Sequence, residues 1–140
     1  MPEAPSPKLL TVDEANQLLP SVIPLIEQMQ GLQASIVHTN EQIETASAKL
    51  SAGNGYPIQE LKQQVRDLTK HQLHLLEMFQ ITIKEIERLG GVVKDVAQGL
   101  IDFYGLREGE IVCLCWRLGE ERIDYWHGLE EGFAGRQPIA

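Results

Sequence analysis

Cysteine is nearly missing from this chain: only Cys113 and Cys115 occur in 140 residues. Two such positions on a strand face the same way, yet their Cα atoms lie about 6.5–7 Å apart, at or beyond disulfide geometry. A zinc signature would need two further cysteines or histidines in the same motif, and none is there. The pair reads as two small, partly buried residues in a reducing compartment. Positive charge is also scarce. Lysine and arginine total 12 against 20 carboxylates, for a net charge of −8, which works against sequence-independent nucleic-acid binding. No stretch approaches the roughly 20 apolar residues that span a bilayer. The start, MPEAPSPKLL, lacks the basic and apolar regions of a signal peptide. A cytoplasmic location is therefore expected, without a membrane or nucleic-acid partner. There is no Gly-rich phosphate loop, nucleophile elbow or zincin helix.

What is present suffices for one folded domain with a real core, since 43% of the residues are hydrophobic. Residues 1–8 hold three prolines and are expected to be mobile, leaving 9–140 as a single domain. Thr11 and Glu14 fit a capping box, with Leu10 as a staple. A short helix over 9–20 follows, with a bend at Pro20 and a new helix starting just after it.

From Val22 the apolar residues settle into alternating spacings of four and three. Val22, Ile26, Met29, Gln33, Ile36, Asn40, Ile43, Ser47 and Leu50 form one such seam. Ile58, Leu61, Val65, Leu68, Gln72, Leu75, Phe79, Thr82, Ile86 and Leu89 form another. Ser51–Pro57 breaks the first seam and Gly90-Gly91 stops the second. Folded back antiparallel, 21–51 and 57–89 make a coiled-coil-like hairpin in which Leu50 meets Ile58, Ile36 meets Gln72 and Val22 meets Ile86. Leu25, Leu32 and Val37 flank one seam; Leu73, Leu76 and Ile83 flank the other. Stripes this wide call for a second covering surface, and a homodimer built through the hairpin supplies it. Gln33, Asn40 and Gln72 would be polar seam residues that set register.

After Gly91 the period becomes two. Val92–Val96 and Leu100–Phe103 read as short strands, and Glu110–Leu118 with Ile123–His127 as a clearer pair, giving a small antiparallel sheet over 92–127. With Glu120-Glu121 as the turn, Leu114 would face His127, Cys115 would face Trp126 and Arg117 would face Asp124. A longer loop over 119–122 is the alternative, because Glu-Glu suits a two-residue turn poorly. Residues 128–140 are expected to return as an ordered tail anchored by Phe133. The fold class is α+β.

Chemistry-bearing residues concentrate at this end. Arg117 and Arg136 have the planar forks that hold a carboxylate or phosphate. With Asp124, Trp126 and His127 they are the candidate binding residues. His127, Glu130 and Glu131 are the candidate metal ligands, with Asp102 and Asp124 as further carboxylates for a metal or for acid–base work. Each also has an ordinary reading, with Arg117 paired to Asp124 and the two glutamates in a solvated loop. His38, His71 and His74 fall outside the seams and read as surface residues.

Three stretches, VDEANQLLPSVIPLIEQM at Val12–Met29, GGVVKDVAQGLIDF at Gly90–Phe103 and VCLCWRLGEERIDYWHGLEEGFAGRQPI at Val112–Ile139, together resemble a family of small prokaryotic proteins, the domain of unknown function 2203. The resemblance covers nearly the whole chain from about Leu9. It implies a cytoplasmic bacterial or archaeal protein and supplies no catalytic residue. The reading that follows is a non-enzymatic homodimeric interaction or scaffold module. The alternative is a small-anion- or metal-binding protein, or an enzyme, using Arg117, Asp124, His127 and Arg136. No cofactor is specified.

Overall fold

The computed structural model describes residues 8–53 and 55–140. The segment expected to be mobile, 1–8, lies outside the described residues except for Lys8. Two long helices, α1 (Val12–Ala52) and α2 (Ile58–Leu89), lead into five strands. These are β1 (Gly91–Asp95), β2 (Leu100–Arg107), β3 (Glu110–Arg117), β4 (Tyr125–His127) and β5 (Gln137–Pro138), with a short 3₁₀ turn at Phe133–Gly135. The strands form one antiparallel sheet in sequence order. This is an α+β fold.

Helix α1 starts where its capping chemistry places it. The Thr11 hydroxyl accepts from the Glu14 N–H, and the Glu14 carboxylate accepts from the Thr11 N–H. The separate short helix over 9–20 does not exist: α1 runs unbroken for 41 residues, with Pro20 and Pro24 inside it. Each proline removes one intrahelical N–H, leaving the carbonyls of Asn16 and Pro20 without that partner. Both prolines face solvent, while Ala15, Leu19, Val22, Ile26 and Met29 are buried on the opposite stripe. Packing of that stripe carries the helix past the expected break.

The α2 seam is as its spacing predicts, every seam position being buried or half-buried. A bond from Gln72 Nε2 to the Ile36 carbonyl, 3.0 Å, falls on the expected facing pair. The α1 seam differs beyond Met29. Gln33 and Asn40 are exposed, and the covered positions are Leu32, Ile36, Thr39, Ile43, Ala46, Ser47 and Leu50. The same three-and-four rhythm has moved by one residue at alternate positions. Thr39 and Ala46 are small enough to be enclosed by α2, whereas Gln33 and Asn40 keep their amides in water.

The sheet lies across one end of this hairpin. Ile101, Phe103, Val112, Leu114 and Trp116 join Val22, Ile26, Met29 and Ile86 in one core, to which Ile23, Phe79 and Ile83 are added at the edge. Gln30 donates to the carbonyls of Val96 and Ala97 in the β1–β2 turn. Beyond Met29 on α1 and before Phe79 on α2, no residue belongs to the core shared with the sheet. The far half of the hairpin is an arm.

Strands β2 and β3 are joined by Glu108-Gly109, both with positive φ (53° and 82°), the two-residue turn that matches strand twist. Strand β2 therefore continues past Phe103 to Arg107. The β3–β4 pairing departs from expectation by one residue: Cys113 faces His127, Leu114 faces Trp126 and Cys115 faces Tyr125. Because side chains alternate, that slip moves His127 off the helix-facing side. The cause is the connection, which is neither a Glu-Glu turn nor confined to 119–122, but spans the residues between Arg117 and Tyr125. Ile123 is buried within it, held by a 2.7 Å bond from its N–H to Asn16 Oδ1.

Candidate functional site

Alternation assigns the two sheet faces. Ile101, Phe103, Leu114 and Trp116 face the helices, so Asp102, Cys113, Cys115 and His127 face away. A far face would ordinarily be wet, yet here it is covered. The tail from Gly128 folds over it. Arg136 Nη2 reaches the Cys115 carbonyl at 3.3 Å, after which the chain joins the sheet edge as β5. The result is a buried polar cluster, with Asp102, Cys115 and His127 each 2% exposed.

Asp102 on β2 is level with Cys115, and His127 on β4 is level with Cys113, so Asp102 and His127 reach each other diagonally over β3. His127 Nδ1 lies 2.7 Å from the Gly128 carbonyl, which only accepts, so Nδ1 carries a hydrogen. Nε2 then points at the carboxylate, 3.1 Å from both Oδ1 and Oδ2 of Asp102. Cys115 Sγ, one Asp102 oxygen and one His127 ring nitrogen all lie within 4.8 Å of one another. Burial pushes the Cys113 thiol up from 9.0 to about 11 and the Cys115 thiol to about 12, with the Asp102 charge adding to both. Thiols held this way stay protonated at neutral pH, the reverse of an activated nucleophile.

A cavity of about 150 Å³ adjoins the cluster and is lined also by Lys94, Leu129, Glu131 and Phe133. Glu131 is fixed at its edge: its Oε1 accepts from the Gly128 N–H at 3.0 Å. A Cβ at Gly135 would come within 2.6 Å of Glu131 Oε2, so glycine there permits the tail's close return. Of the metal ligands expected from the sequence, His127 and Glu131 thus share this cavity, while Glu130 does not line it.

Of the expected binding residues only His127 lines it; Arg117, Asp124, Trp126 and Arg136 do not. Arg136 is sandwiched between the rings of Tyr125 and Phe133, 4.0 and 4.6 Å from their centroids. Its Nη2 also grips both Glu120 oxygens at 2.8 and 2.9 Å, so its fork already holds a carboxylate of its own chain. Arg117 does not pair with Asp124. Its guanidinium lies over Phe133, 5.5 Å from the ring centroid, and Asp124 bonds Arg122 at 3.1 Å. The register slip explains this, because Arg117 lies beyond the last paired residue of β3 and faces nothing on β4. Trp126 turns toward the helix side, with Arg107 stacked on it at 4.8 Å. The three helix histidines are exposed.

Sequence reasoning placed Asp102 among the carboxylates to consider and read the cysteines as structural; it did not bring the three together. The signal was Ile-Asp-Phe at 101–103, an acid between two core residues on a strand that continues to the Glu108-Gly109 turn. Recognising that hairpin puts Asp102 opposite Cys115.

No described helix is long and apolar enough to cross a membrane. No curated protein and no solved structure matches this chain. The family model for an uncharacterized conserved protein, DUF2203, matches residues 8–139, and the chain belongs to that family.

Proposed function

We propose that the chain is a homodimeric interaction module that pairs through the arm of its helical hairpin. The observation carrying this reading is that an apolar face leaves the sheet's cover without ending. On α2, Ile83 packs at the core edge, and Leu76 and Leu73 continue the same face one heptad and ten residues earlier. On α1, Ile23 packs at the core edge and Gln30 binds the β1–β2 turn. Val37 follows seven residues later. Because Ile36 is tied to Gln72 and the helices run antiparallel, Leu73 stands about 3 Å along the arm axis from the level of Val37. Val37, Leu73 and Leu76 are 53%, 57% and 42% exposed. A two-helix arm has little core of its own, and pairing two arms into four helices covers such a face symmetrically.

The rest of the molecule supports a binding role over catalysis at the expected residues. Arg136 is internally neutralised and both thiols are raised. Sedimentation equilibrium across micromolar concentrations tests the reading. It should give twice the chain mass, falling to the chain mass in Leu73→Glu/Leu76→Glu with helix content kept. A wild-type chain that stays monomeric, or a double variant that stays dimeric, would contradict it.

A further inference from the structure

We propose that Asp102, Cys115 and His127 form a binding site for one zinc-type divalent cation, with its remaining coordination position facing the cavity beside Glu131.

The donor set comes first. A carboxylate oxygen, a thiol sulfur and an imidazole nitrogen are the three side-chain donor types that zinc accepts, and three protein donors plus one open position is the arrangement of its non-structural sites. Donors around a tetrahedral ion of this size stand roughly 3.3–3.7 Å apart. The His127–Asp102 separation is 3.1 Å, and no pair within the set exceeds 4.8 Å. These side chains project from three adjacent strands, so their positions are fixed by sheet pairing and not by a loop.

The orientation of His127 is the second observation. Its Nδ1–H donates to the Gly128 carbonyl, which leaves Nε2 as the coordinating nitrogen and aims it at the carboxylate. A backbone carbonyl in this role sets both tautomer and ring plane of metal-bound histidines. Nε2 and Asp102 are two electron-pair donors pointed at each other inside the protein, so a positive centre must lie between them. In the metal-free chain a proton fills that role. A divalent cation takes its place, displacing that proton to solvent, and also engages Cys115, whose thiol proton is released to solvent as well.

Access is the third. The cavity of about 150 Å³ admits a water-sized ligand, and Lys94 and Leu129 on its wall are exposed, giving an entry path. Cys113 is a built-in control: it lies on the same face, opposite His127, but is not part of the close set.

Titration of the full chain with Co²⁺ alone, after chelation and exchange, tests the assignment. An equimolar amount should saturate it. The bound ion should show thiolate-to-cobalt charge transfer in the near ultraviolet and the strong visible bands of a four-coordinate ion. Cys115→Ser should abolish the charge-transfer band and Cys113→Ser should keep it. His127→Gln should weaken binding by more than about 100-fold, beyond the loss expected from removing an outer-shell partner. Failure of the wild-type chain to take up Co²⁺, or uptake without the charge-transfer band, overturns the proposal, as does a band that survives Cys115→Ser. The wild-type spectrum decides the matter even if a variant fails to fold. Its outcome is independent of the oligomeric state.

Discussion

The arm and the tail-covered sheet face handle polarity in opposite ways. Along the arm, polar groups such as Gln33 and Asn40 are in water while Leu73 and Leu76 are exposed beside them. On the sheet, Asp102 and His127 are sealed inside while the tail above them carries the exposed charge. A surface that exposes apolar side chains is built to meet something large. One that encloses a carboxylate and an imidazole beside a small cavity suits something small. The two proposed binding chemistries are thus separated by location, the first at the free end of the hairpin and the second beneath the segment 128–136.

Perturbing the sheet face should have the largest effect. Asp102→Ala in metal-free protein leaves Nε2 of a buried histidine without its partner. It should cost about 3–5 kcal/mol in urea unfolding; a loss under about 1 kcal/mol would show the pair to be solvated. The thiols give a pH signature of the same burial. Below about pH 9 folded and unfolded chains both hold the thiol protons. Above it the unfolded chain releases them while the folded chain retains them until about 11 for Cys113 and about 12 for Cys115. Stability should therefore fall as pH rises through this window, by up to about 1.4 kcal/mol per pH unit for each thiol. Equilibrium unfolding of metal-free wild type beside Cys113→Ala/Cys115→Ala at stepped pH isolates the effect. Equal slopes in the two proteins would contradict it.

The arm should respond less. Gln72→Ala removes the bond to the Ile36 carbonyl and should cost about 1 kcal/mol by thermal or urea unfolding. Gln33→Ala, on an exposed position, should change stability by less than about 0.5 kcal/mol. A larger effect at Gln33 than at Gln72 would return Gln33 to the seam and reverse the assignment of α1.

Much of the fold was legible because period is a physical quantity. The α2 seam has a buried or half-buried residue at every expected position, and Thr11 with Glu14 marks the start of α1 by side-chain chemistry alone. Legibility failed where tertiary packing decided. Pro20 read as a break, but it and Pro24 face solvent while their neighbours are held by the sheet. Thr39 and Ala46 are covered because they are small, which apolar periodicity does not register. The site failed on one residue of register. With Leu114 opposite His127, the histidine joins the helix side; with Cys113 opposite it, the histidine meets Asp102. That choice depends on how Ile123 and Asn16 shape the connection, a contact between residues 107 positions apart.

The central claim is that the apolar face of the arm is covered by a second copy. Hydrogen exchange read by mass spectrometry on arm peptides, compared between high protein concentration and strong dilution, tests it most directly. Peptides holding Val37, Leu73 and Leu76 should lose protection on dilution while those from β2 and β3 keep theirs. Arm protection that is the same at every concentration would contradict the claim.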